Sequence, residues 1–327
     1  MEECTNTSSE NFHKIMYLSP IVSVIIQVIS LVIVLRKKFI SKTFKVLAVV
    51  TSMSELIVEV LLCYLAVPTI LPPYAMVVTG LGLYAPKSIY VYAPFIFVGL
   101  CFILLAILLM HIQFYTVVTT CLEIFPKYEK TIKFQRILLK MSVITFILGC
   151  LTFLMFIMEG MRYQDDWKWL LFQRTNNSLF LCENTYVFYK GTTILNAVYA
   201  VFGSLHAIVI FIGVVSNIYH FFGEIRRPET ELSNRTIKMQ RIVLTQLIVQ
   251  VLCKIIFYAI PSLLVTSFSH IGFLDNMMVS NLVVFFGTKH GTVGAASIIV
   301  FSVQQLMRER SRVASLTATK HSPTEQK

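Results

Sequence analysis

The residues that could do chemistry are few, and they sit inside apolar runs. Glu55 and Glu59 share one run, Lys254 lies in another, and Lys289 with His290 in a third. A spacing of four places Glu55 and Glu59 on one helical face, and the same spacing puts Gln246, Gln250 and Lys254 in one polar row. A lone charge at the centre of a bilayer costs about 2.5–3.5 kcal/mol. At least one glutamate is therefore expected to pair with Lys254 or Lys289. A mid-membrane network of Glu55, Glu59, Gln250, Lys254, Lys289 and His290 can act as a polar lock or as the floor of a ligand pocket. It can equally do no more than fix helix packing, or carry protons or ions. No other chemistry is spelled out. There is no phosphate-cradling glycine loop, no HExxH and no nucleophile motif. Seven cysteines show neither CxxC nor metal-ligand spacing. The chain is read as a non-enzyme, with no metal and no cofactor implied.

The elements that must hold these residues are membrane helices. Of 327 residues, 56% are hydrophobic and 14% charged, and the mean hydropathy is +0.73. A soluble domain carries roughly 25% charged residues. A net charge of +11 could suggest nucleic acid, but the basic residues lie between apolar runs, which reads as topology and excludes a nucleic-acid partner. A span needs about 20 apolar residues. Seven apolar segments fall near 15–35, 46–67, 89–116, 137–158, 192–222, 242–266 and 277–303. The fold class is an all-α membrane protein, a seven-transmembrane helix bundle. Pro261 is expected to kink the outer half of the sixth span.

Loop charge sets the orientation. With the N-terminus outside, the inner segments hold twenty Lys and Arg and the outer ones six. Positive charge stays inside, so the N-terminus is placed outside and the C-terminus in the cytoplasm. The chain divides into an extracellular segment 1–14, a bundle 15–303 and a cytoplasmic tail 304–327, which a short amphipathic helix or a frayed end would fill. No cleavable signal is seen, and the first span is the expected targeting element. Sequons at Asn6 and Asn176 would face the glycosylation machinery, and that at Asn234 would not. His111 and His206, on apolar runs, read first as side chains satisfied by a neighbouring helix. Gly287, Gly291 and Gly294 permit close helix contact. No internal repeat of the kind common in transporters is visible.

Three stretches resemble a known group. Lys238-Met239-Gln240-Arg241, then Leu247-Ile248-Val249-Gln250-Val251-Leu252 and Ile260-Pro261, look like the sixth-span pattern of nematode serpentine chemoreceptors of the Str superfamily. Lys289-His290-Gly291-Thr292-Val293 is similar to that group's His-Gly motif in the seventh span. Leu71-Pro72-Pro73-Tyr74, with Gly80 after it, is similar to the proline-rich region of the Srh-like branch. The layout matches along the whole chain and the motifs over about 40 residues. Departures are Lys254 in place of an apolar residue or proline, Gln304-Gln305-Leu306-Met307-Arg308 in place of a Pro-Tyr-Arg ending, and Gln113-Phe114-Tyr115 at the end of the third span.

The resemblance implies a chemosensory G-protein-coupled receptor in the plasma membrane of a sensory cilium. It would bind a small-molecule ligand, signal to a heterotrimeric G protein and contact membrane lipid. Tyr90, Tyr92, Tyr199 and Tyr258 are then pocket candidates, although interfacial tyrosines need no ligand. Arg226, Arg227, Arg235, Lys238 and Arg241 would face the G protein, although basic loops also serve topology and anionic lipid. No cysteine stands at the outer start of the third span, where a rhodopsin-like receptor has one. Cys182 lies in the second outer loop, and Cys4 is a candidate partner for it. The alternative classes are an odorant-gated channel subunit, whose inside N-terminus opposes the charge count, and a small-molecule transporter.

Overall fold

The structure, a computed structural model, describes residues 10–37, 41–66, 68–71, 75–78, 89–123, 126–187, 194–225, 234–260 and 277–320. Its long helices are α1 (Glu10–Arg36), α2 (Lys42–Val60), α3 (Ile89–Leu122) and α4 (Glu129–Arg162). After a short α5 (Gln164–Thr175) come α6 (Ile194–Ile225), α7 (Asn234–Lys254), α8 (Met277–Thr288) and α9 (His290–Lys320). Five of them, α1 to α4 and α6, contain stretches long and apolar enough to cross a membrane. The other two spans are broken up by polar residues. α7 is diluted by Gln246, Gln250 and Lys254, and the seventh span is split into α8 and α9 at Lys289.

Packing follows the apolar patterning. Large apolar side chains such as Ile25, Val28, Ile144, Leu151 and Met155 are exposed on α1 and α4. Against lipid such a face costs nothing, because lipid tails are as apolar as leucine. The main core joins Phe114 and Val118 of α3 to Val214 and Phe221 of α6 and to Leu244 and Leu247 of α7. It lies toward the end of the bundle where α1 stops at Arg36 and α2 starts at Lys42, the basic end. Ser41 caps α2 by accepting from Phe44 N at 3.2 Å. Lys45 Nζ donates to Leu35 O at 2.7 Å, so a cation covers the last carbonyls of α1.

Two features of the opposite end were not expected from the apolar runs. Strands β1 (Pro68–Leu71), β2 (Ala75–Val78) and β3 (Thr185–Val187) form an antiparallel sheet in the order β1-β2-β3. Helix α5, opened by Asp165 and Asp166 and closed by Asn176 in the left-handed region (φ 50°), packs beside it. Trp167, Leu171, Phe180 and Val187 make its small core. Gln164 completes the edge of β3: its Nε2 donates to Val187 O at 2.7 Å, and Val187 N donates to its Oε1 at 2.9 Å. At the basic end α9 runs on to Lys320 as one helix, where a short amphipathic helix or a frayed end was expected beyond 304.

Candidate functional site

The mid-membrane charges of the described residues meet in two ion pairs. Lys254 Nζ lies 2.6 Å from Glu55 Oε1, and Lys289 pairs with Glu59 Oε1. All four side chains are nearly buried, Glu59 the most so at 1% exposed. The pairing answers the cost of placing charge away from water, since removing one partner of a buried pair leaves an uncompensated ion worth about 3–5 kcal/mol.

The pairs differ in their other partners. Ser19 and Ser23 of α1 both donate to Glu59 Oε1, and Thr292 of α9 donates to Oε2 at 3.0 Å. Thr292 Oγ1 also lies 2.8 Å from Ser23 Oγ. The Glu59 carboxylate therefore ties α1 and α2 to the Lys289 turn and to α9. Ser19 and Ser23 are residues that sequence reasoning missed, although their spacing of four on an otherwise apolar helix was a readable signal. Glu55 instead presses against Gly291. A Cβ built on that glycine would stand 2.8 Å from both Cβ and Oε2 of Glu55.

Glu59, Lys254 and Lys289 each adjoin a break in regular helix, so each ion pair has at least one partner beside one. Just past Glu59, α2 turns into a π-helical stretch, Leu61–Ala66. Just past Lys254, α7 does the same over Ile255–Ala259. Lys289 is itself the turn between α8 and α9. π-Helical turns inside α-helices mark functional positions and bends. Pro261, expected to kink this span, lies outside the described residues. At the end of α8 the freed carbonyls are taken by side chains. Thr288 Oγ1 donates to Phe285 O at 2.8 Å, and His290 Nδ1 lies 2.9 Å from Gly287 O. His290 thus caps the break.

Beneath Glu55 and Lys254, toward the basic end, lies a cavity of about 40 Å³. Its polar lining is Ser30, Thr51, Ser52, Gln113, Gln246 and Gln250. The polar row of α7 faces this space. Gln113, from the triplet at the end of the third span, donates to Thr51 Oγ1 at 3.0 Å and ties α3 to α2.

The two histidines are held by a neighbouring helix. His111 Nδ1 lies 2.8 Å from Ser142 Oγ, and His206 Nδ1 lies 2.9 Å from Thr145 Oγ1. Ser142 Oγ also reaches Leu138 O and Thr145 Oγ1 reaches Met141 O, so imidazoles protonated at Nδ1 would let each hydroxyl donate and accept at once. A Cβ on Gly213 would collide with the His111 ring, so α6 keeps a glycine where α3 inserts an imidazole.

Other expected sites stand as follows. Arg226, Arg227, Asn6 and Cys4 lie outside the described residues, as do the side chains of Tyr90, Tyr92, Tyr199, Tyr258, Arg235 and Lys238. Arg241 and Asn176 are exposed. Cys182 is disulfide-bonded, whereas Cys63, Cys101, Cys150 and Cys253 are free thiols. The carbonyl of Cys182 accepts from Lys168 Nζ at 2.8 Å. Burial lowers the Lys168 ammonium below the ordinary lysine value, against the pull of Asp165 and Glu183. Among the described residues no group of three His, Cys, Asp or Glu side chains could hold a metal ion.

Compared with known proteins, residues 7–312 match the family model described as serpentine type 7TM GPCR chemoreceptor Srh. No curated protein and no solved structure matches the chain.

Proposed function

The chain belongs to the Srh family of serpentine seven-transmembrane chemoreceptors, and on that premise we propose that it binds a small molecule and signals to a heterotrimeric G protein. The family is one of receptors, and the protein is a multi-pass membrane protein. In this reading the N-terminus faces outward, the sheet end is extracellular, and the basic end meets the G protein through Arg226, Arg227, Arg235, Lys238 and Arg241. The cell surface, and a sensory cilium within it, is the site of action. The ligand occupies the outer half of the bundle, where small-molecule sites form between helices, and Tyr90, Tyr92, Tyr199 and Tyr258 belong to its walls. Cys4 is the partner this reading assigns to the disulfide-bonded Cys182.

One observation carries the mechanism: the two ion pairs lie at the points where α2, α7 and the seventh span depart from regular helix. A ligand can shift a conformational equilibrium only by its differential affinity for the two states. Segments beyond such breaks can move without unwinding the inner helices. Pressure on them would be felt at Glu55–Lys254, the contact between α2 and α7. Separating that pair would free the basic end of α7.

The test is a signalling assay in cells expressing the full chain with a chosen G protein and a panel of volatile and soluble small molecules. A ligand-dependent response that Glu55→Gln and Lys254→Met each alter at unchanged surface expression is the expected result. Unaltered responses in both variants would remove the pair from the mechanism. The interrupted seventh span is also a feature of transporters. Substrate uptake would favour that class, and ligand-evoked current in cells lacking G-protein signalling would favour a channel.

A further inference from the structure

The two ion pairs share a chemistry but not a solvent. Both oxygens of Glu59 are held by protein donors, from Ser19, Ser23, Thr292 and Lys289. Glu55 and Lys254 instead help to line the cavity. Gln246 lines the same cavity, is 6% exposed, and its Nε2 has no acceptor among the described residues. A buried amide without an acceptor is costly, and five more hydroxyl or amide side chains share its walls. A water molecule needs about 10–15 Å³ of such space and two to four polar partners. The cavity offers about 40 Å³ and polar groups from α1, α2, α3 and α7, with an apolar wall on the α9 side.

We propose that this cavity is a binding site for about three water molecules, which accept from Gln246 Nε2 and solvate Glu55 and Lys254. Hydration makes Glu55–Lys254 the separable pair, because water can take up both charges as they part. Glu59–Lys289 stays closed, since donors from α1, α9 and the Lys289 turn all converge on one carboxylate. The water site stands without the receptor reading; only its use, the release of α7, rests on that reading.

The test is radiolytic hydroxyl-radical footprinting of the full chain in lipid nanodiscs, with no ligand or G protein present. Radicals form where water sits, so a buried side chain beside bound water is oxidised and one in dry packing is spared. Leu247 lines the cavity, and Ile157 lies in the separate apolar cluster of Ala93, Phe153 and Phe156. Each is 2% exposed. Leu247 is expected to oxidise several-fold faster than Ile157. Equal, slow rates would overturn the proposal. Ala295→Leu, which fills the cavity from α9, should bring Leu247 down to the rate of Ile157. Persistently fast oxidation there would trace the label to bulk solvent at the basic end, and the site would fall. If that variant does not fold, the parent comparison still decides. The asymmetry has its own readout: Glu59→Gln should lower the Tm more than Glu55→Gln, and an equal loss would refute the division of roles.

Discussion

A carboxylate oxygen of Glu55 lies in the space beside Gly291 that the side chain of any other residue would need, so α2 and α9 approach through a missing Cβ. The carboxylate that meets Lys254 is thereby held from behind by the backbone of the seventh span. The packing position and the charged contact are one device.

Gly291→Ala is therefore expected to destabilise the protein by roughly 1–3 kcal/mol, the usual cost of overpacking a tight contact. Glu55→Gly, which removes the Cβ as well as the carboxylate from beside Gly291, should absorb most of that cost when combined with it, because residues in contact do not contribute additively. Thermal unfolding of the four species in detergent measures the coupling. Additive losses would mean that the glycine serves some other contact.

Glu59→Gln or Lys289→Met alone should each cost about 3–5 kcal/mol by stranding a buried charge. The double variant should be milder than either single one. Surface expression and Tm report the result. A double variant worse than both would show that the hydroxyls of Ser19, Ser23 and Thr292, rather than the ion pair, dominate the cluster.

Glycines in α6 should respond according to their neighbours. Gly213→Ala drives a methyl group into the His111 imidazole and should be strongly destabilising. Gly223 has nothing within 4 Å of its would-be Cβ, so Gly223→Ala should be neutral or gain about 0.5–1 kcal/mol from helix propensity. Similar losses at both positions would contradict the packing of His111 against α6.

The module at the sheet end should tighten at alkaline pH. Burial lowers the Lys168 pKa in the folded state from the ordinary 10.5. Between the folded and unfolded values the unfolded chain binds more protons, so stability rises with pH across that window. Hydrogen exchange of β3 and α5 should slow, after correction for intrinsic rates, as pH climbs toward 10.5. Lys168→Met should abolish the slope, and an unchanged slope would assign it to another group.

Orientation is the simplest of the expected outcomes to check. Asn176 is exposed at the end of α5, so an outward sheet end should carry glycan there, lost in Asn176→Gln. An epitope after Lys327 should be reached by antibody only in permeabilised cells. An extracellular C-terminal epitope would reverse the assignment of both ends and sink the receptor reading.

Much of the architecture was legible before any coordinates, for reasons of solvation. Lipid cannot hydrogen-bond a backbone, so apolar runs of span length must be helices. The same cost of lone charge meant that Glu55, Glu59, Lys254 and Lys289 had to face inward and find partners, and the spacing of four put each polar row on one face. The serpentine motifs around Gln250 and His290 pointed to the family from local residues alone. Tertiary structure decided everything that depends on which helices touch. Either glutamate could have met either lysine, and only the bundle joined Glu59 to a lysine 230 residues away. Ser19, Ser23 and Thr292 became ligands of a carboxylate because three helices converge on it. Gly291 and Gly213 became sockets because a polar side chain arrives there from another helix. The break at Lys289 stands in an apolar stretch that by composition could have continued unbroken. It took packing, with Thr288 and His290 covering the freed carbonyls, to make a split there affordable.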